Sequence, residues 1–117
     1  MAVVRILVAL EPQMYGEVLA FHIRQERPLS QVTRASSQTL KAQAQRTRPH
    51  LIIANEVPPE LKEEIGVFFW VELSTDDGLV ASISANGYST TIQDVSLQDL
   101  LAAVDKAEEE LAHDQQA

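Results

Sequence analysis

The sequence predicts an α/β domain: a doubly wound, mostly parallel sheet of about 5–6 strands with helices on both faces, and a β-hairpin at about residues 79–92 before the last helix. Three observations predict it. Apolar runs at 3–10 and 51–54 are continuous rather than alternating, as in strands covered on both faces. Segments with apolar residues at three- and four-residue spacing alternate with these runs, which argues for right-handed βαβ units. Asn86-Gly87, the dipeptide suited to a two-residue turn, separates two further strand-like runs.

The first strand spans Val3 to Leu10 and ends near Glu11. Pro12 fits the first turn of a helix, and Met14, Val18, Leu19, Phe21 or His22, and Ile23 give it an apolar stripe that stops before Pro28. Residues 29–35, with Val32 among polar neighbours, read as a short strand near an edge. Ser36 and Ser37 are then N-cap candidates for a second helix through Leu40, Ala42 and Ala44 to about Arg48.

Leu51 to Asn55 forms the third strand, followed by Pro58-Pro59 and a short helical piece at 60–65 that Gly66 ends. The run 67–73 carries Phe68, Phe69 and Trp70 and reads as a central strand whose aromatics pack the core. Pairing across Asn86-Gly87 places Leu79, Ala81, Ile83, Ala85, Tyr88, Thr90 and Ile92 on one face, and Ser82, Ser84, Ser89 and Thr91 on the other. One-sided burial of that kind suits an antiparallel extension at the margin of the sheet.

Ser96 and Asp99 open the last helix with a box-like start, and Leu97, Leu100, Leu101, Val104 and Leu111 form its stripe. Glu108-Glu109-Glu110 lies toward the helix C-terminus, where negative charge opposes the macrodipole and favours solubility or recognition. A single domain over 1–112 with a frayed tail at 113–117 is expected.

Composition narrows the function classes. At 117 residues and 45% hydrophobic content, one domain can bury a core. The absence of cysteine removes disulfides, thiolate catalysis and cysteine-ligated zinc. No apolar run approaches the roughly 18 residues of a membrane span, and the first residues lack a secretory pattern, so a cytoplasmic protein is expected. A net charge of -8 argues against nucleic acid as a partner. Arg24, Arg27, Arg34, Lys41, Arg46 and Arg48 nevertheless cluster against the single acid Glu26, as a solvated face or a docking face for an acidic partner.

Motifs for catalysis are missing. His22, His50 and His113 have no helical ligand spacing, so no metal is expected. No glycine directly follows the first strand to cradle a phosphate, and there is no Gly-x-Ser-x-Gly elbow. Ligands of doubly wound sheets bind at the carboxyl ends of strands, which makes Glu11, Asn55, Glu56, Ser74 and Thr75 the candidate crevice.

The segment from Pro49 to Pro59, with its strand ending on Asn55, resembles the phospho-acceptor strand of bacterial response-regulator receiver domains, which are flavodoxin-like. In that family an acidic pair after the first strand holds magnesium, and the matching positions are Leu10 and Glu11, so one ligand is replaced. Asn55 matches the phosphorylated aspartate, and Pro59 the proline four residues on. Ser74 or Thr75 matches the switch hydroxyl, while Gln93-Asp94 stands where the family carries lysine and proline. Phosphoryl transfer depends on charge neutralisation around one nucleophile, so the resemblance implies a receiver-like fold without phosphorylation.

These readings lead to a non-catalytic regulatory or protein-interaction module without a cofactor, working on a protein partner or on itself as a homodimer. The hairpin face of Ser82, Ser84, Ser89 and Thr91 is its candidate contact surface. The alternative is a small-molecule-binding domain using the strand-end crevice. A concave pocket there would favour the ligand, and a filled surface the interaction module.

Overall fold

A computed structural model describes residues 3–11, 13–57, 59, 69–74, 80–85 and 88–116, with backbone alone at Ala85, Tyr88 and 111–116. In chain order these form β1 (Arg5–Ala9), α1 (Gln13–Glu26), β2 (Gln31–Arg34), α2 (Leu40–Thr47), β3 (Leu51–Ala54), β4 (Phe69–Ser74), β5 (Val80–Ala85), β6 (Tyr88–Gln93) and α3 (Leu97–Gln116). The expected short helix at 60–65 and the Asn86-Gly87 turn lie outside the described residues.

The strands make one six-stranded sheet in the order β2-β1-β3-β4-β5-β6. β1 pairs in parallel with β2 and β3, and β3 with β4. β4 with β5, and β5 with β6, are antiparallel. This corrects the expectation of a doubly wound, mostly parallel, flavodoxin-like sheet: the sheet is mixed, and its second half is an antiparallel meander. The reason is the length of a connection. A parallel crossover needs a dozen or more residues, and the link from Ser74 to Val80 is far shorter, so β5 has to run back along β4.

Two apolar layers hold the sheet. On one face Ile6, Val8, Leu51, Ile53, Phe69, Val71 and Leu73 meet Leu19 and Ile23 of α1 and Leu100, Leu101 and Val104 of α3. On the other, Leu7, Ile52 and Ala54 meet Leu40 and Ala44 of α2. Every residue of β3 is buried, as befits a strand covered twice, whereas β4 alternates buried with half-buried or exposed positions. Burial of each such Leu or Ile side chain contributes roughly 1.5–3 kcal/mol.

The helices part from the expected pattern in detail. α1 buries Gly16, Leu19, Ala20 and Ile23, and leaves Met14, Val18 and Phe21 more than half exposed. Its apolar residues therefore form two stripes, of which the sheet takes one. α2 starts later than Ser36 and Ser37 suggest, because Ser36 and Thr39 close a preceding turn on each other: the Ser36 amide donates to Thr39 Oγ1 at 3.0 Å and the Thr39 amide to Ser36 Oγ at 3.2 Å. α3 carries the expected reciprocal cap, with the Ser96 amide donating to Asp99 Oδ2 at 2.8 Å and the Asp99 amide to Ser96 Oγ at 3.2 Å.

At the amino ends of the strands, His50 Nδ1 accepts the Arg5 amide at 3.0 Å, while Arg5 Nε donates to the Thr47 and Arg48 carbonyls. Burial, and then the charge of Arg5, hold the His50 pKa below its ordinary value, consistent with a neutral ring that accepts. Arg27 Nε and Nη2 grip both oxygens of Asp105 at 2.6 and 2.8 Å, tying the end of α1 to α3. No helix among the described residues is long and apolar enough to cross a membrane.

Candidate functional site

β1, β3 and β4 are parallel, so their carboxyl ends bring Glu11, Asn55 and Ser74 to one rim of the sheet. Asn55 lies at its centre. Its Oδ1 accepts the Glu11 amide at 2.6 Å and its Nδ2 donates to the Leu73 carbonyl at 3.3 Å. One carboxamide thus pins the exits of β1 and β4 to that of β3, using an acceptor and a donor at once. A carboxylate in this place would have no hydrogen for Leu73.

Two carboxylates at the rim, those of Glu11 and Glu72, are also engaged. Glu11 Oε1 lies 3.4 Å from the Ser37 amide and 3.5 Å from its hydroxyl, the long end of hydrogen-bond range. Glu72 Oε2 accepts the Val57 amide at 3.0 Å and so ties β4 to the chain leaving β3. Glu56 and Ser74 are exposed, and Thr75 lies outside the described residues. Among the described residues, no three histidine or acidic side chains come together as a metal site.

Two hollows flank this pin, and Glu11 and Asn55 line both. The smaller, of about 480 Å³, opens on the α2 side, where Ser37, Leu40, Glu56 and Pro59 complete it. The larger is a crevice of about 710 Å³ between α1 and the start of α3. Leu10, Leu73 and Val95 form its floor, Met14, Val18 and Leu19 one wall, and Leu97 and Leu100 the other. Tyr15, His22 and Ser96 supply polar atoms beside the apolar lining, and the His22 ring meets that of Phe21 edge-on.

Of the residues singled out in the sequence, Glu11, Asn55 and Glu56 line the smaller hollow and Glu11 and Asn55 the larger, while Ser74 lines neither. The α1 and α3 walls were missed. Their signal was present: Met14, Val18 and Phe21 exceed what one buried stripe of a helix beside a sheet requires. β6, which precedes α3, is three places from β3 in the sheet, so Gln93-Asp94 lies roughly 14 Å across from Asn55 in the pairing direction.

Ser82, Ser84, Ser89 and Thr91 do share one face. Strand pairing sets Trp70, Ser84 and Ser89 in one row, and Glu72, Ser82 and Thr91 in the next. Ser82 and Ser84 are half-buried, and Ser89 and Thr91 exposed. In the basic run, Arg27 is paired with Asp105 and Arg24 donates to the Val32 carbonyl, so part of that charge serves the fold. Compared with protein-family models, curated proteins and solved structures, the chain matches none.

Proposed function

We propose that this chain is a non-catalytic binding domain that takes a small, mostly apolar ligand in the crevice between α1 and α3. The crevice itself carries the reading. Its volume of about 710 Å³ falls within the roughly 300–1,000 Å³ of small-molecule sites, and apolar walls with a few polar atoms are what such sites use. Its wall residues Met14 and Val18 are 63% and 51% exposed, an apolar surface that a ligand would remove from water.

A binding role without chemistry is supported by what the rim side chains already do. Asn55 is engaged through both ends of its amide, and Glu11 leans toward Ser37, so the polar groups nearest the crevice act as staples. A protein-interaction module without a ligand is the second reading, and a concave surface at this place favours it less than a flat one would.

The test is titration with the amphiphilic fluorophore anilinonaphthalene sulfonate, comparing the parent with the uncharged, near-isosteric Val18→Asn. The parent should bind it saturably at one site, and the variant at least tenfold more weakly with an unchanged circular dichroism spectrum. Equal binding by both proteins, or no saturable binding to the parent, would refute the proposal.

A further inference from the structure

The two edges of the sheet are finished differently. On β2, the amides of Gln31 and Ala35 donate inward to Val4 and Val8, so by strand alternation the backbone groups of Val32 and Arg34 point away from the sheet. Arg24 of α1 covers this edge, its Nη2 meeting the Val32 carbonyl at 3.0 Å. A cation over an edge strand is a common guard against pairing with another chain.

β6 forms the other edge. The Phe69 amide donates to the His50 carbonyl, which turns Phe69, Val71 and Leu73 toward β3 and Trp70, Glu72 and Ser74 toward β5. Their partners Ser84, Ser82 and Val80 complete those pairs, so Ala81, Ile83 and Ala85 turn toward β6 and engage Ile92, Thr90 and Tyr88. The backbone N–H and C=O groups of Ser89, Thr91 and Gln93 then face outward. Among the described residues, no side chain covers them as Arg24 covers β2. The strand, Tyr-Ser-Thr-Thr-Ile-Gln, contains no charge, proline or glycine.

We propose that β6 pairs antiparallel with β6 of a second copy of this chain, across a two-fold axis at Thr91, to make one continuous sheet. Two constraints set the register. A two-fold axis perpendicular to the sheet keeps matching faces together, and outward backbone groups have to meet outward backbone groups. With Thr91 on the axis, Thr91 opposes Thr91 and Ser89 opposes Gln93 in both directions, each pair exchanging both hydrogen bonds. An axis at Thr90 matches only Ser89 with Thr91 within the strand.

Side chains agree with this register. Thr91 faces its own copy and Thr90 faces Ile92, cross-strand pairs of β-branched residues that suit a sheet surface. The nearest charge to the strand, Asp94, falls opposite Tyr88 of the second copy. The two Asp94 carboxylates then sit roughly 20 Å apart along the strands. That exceeds the ~8 Å screening length at physiological salt, so these two carboxylates do little to oppose the pairing.

Light scattering on the full chain from micromolar to millimolar concentration tests the pairing. The mass should rise from the single-chain 13.0 kDa toward twice that value. Thr91→Pro removes an outward N–H that makes no bond within the chain, so it should weaken association at least tenfold and leave the dichroism spectrum unchanged. Thr91→Lys, which sets two ammonium groups across the axis, should weaken it in a salt-dependent way. A parent that stays monomeric at millimolar concentration, or variants that associate as tightly as the parent, would overturn the proposal.

Discussion

Changing Asn55 to aspartate exchanges one atom and asks whether the rim is held by an amide or merely occupied by one. Asn55→Asp keeps an acceptor for the Glu11 amide but loses the donor to the Leu73 carbonyl, and sets a carboxylate oxygen about where Nδ2 now lies, 3.3 Å from that carbonyl. Losing a hydrogen bond of this kind costs about 0.5–1.5 kcal/mol, and facing two acceptors against each other adds a desolvation cost of up to roughly 1–3 kcal/mol. Against this, the Glu11 bond becomes charge-assisted and recovers about 1 kcal/mol. A net loss of about 0.5–3.5 kcal/mol at neutral pH is expected, read as a lower urea midpoint by circular dichroism.

The pH dependence separates this account from simple disruption. A carboxylate disfavoured by the fold has its folded pKa above the unfolded value of about 3.9. The protonated form is therefore the better tolerated one, and its O–H restores a donor for Leu73. The deficit of the variant should shrink as the pH falls through that folded value and be fully present above it. Equal stability of the two proteins at pH 7, or a deficit that stays constant down to the acid range, would refute the reasoning.

Acid should weaken the parent through His50, whose folded pKa lies below 6.5 owing to burial and then Arg5. Its stabilisation is complete above about 6.5 and is lost as the pH falls through the folded value, so urea midpoints should drop over that interval in the parent and not in His50→Asn. Asp105 is held below the ordinary carboxylate range, chiefly by its hydrogen bonds from Arg27. With side chains 33% and 48% exposed, that pair is discounted for solvent screening to under about 1 kcal/mol. Asp105→Asn should melt slightly lower at pH 7, and the gap should close as the pH falls below about 3.8 through the folded pKa. A Cβ on Gly16 would meet Val8 Cγ1 at 3.5 Å and Leu10 Cβ at 3.7 Å, ordinary contacts, so Gly16→Ala should raise stability by roughly 0.5–1 kcal/mol in the same denaturation assay. A loss of stability would show α1 closer to β1 than these distances allow.

The parts legible in the sequence were those with local causes. Continuous apolar runs located β1 and β3, Ser96 and Asp99 marked the start of α3, and the spacing around Asn86-Gly87 set the register of β5 against β6. The one-sided pattern of residues 79–92 also carried the antiparallel extension at the sheet margin, whereas the doubly wound, mostly parallel class does not hold, because the short Ser74–Val80 connection cannot make a crossover and leaves the sheet mixed. At the site, residue type pointed to Asn55 and Glu11, but their partners, Leu73 and Ser37, are distant in sequence and have no local signature. The crevice was only half legible for a related reason: the surplus apolar stripe of α1 is visible in the sequence, but that Leu19, Ala20 and Ile23 take the sheet and leave Met14 and Val18 outside is settled by packing against strands distant in sequence.

Arg24 covers β2 from a helix, not from the strand it protects. Protection of that edge is therefore conditional on α1 remaining docked. A partly unfolded molecule that sheds α1 uncovers β2 at the same moment as it bares the apolar layer beneath, and becomes a template at both ends of its sheet. Under mild heating Arg24→Ala should aggregate faster than the parent, whereas equal rates would show that β2 owes its safety to its shortness alone.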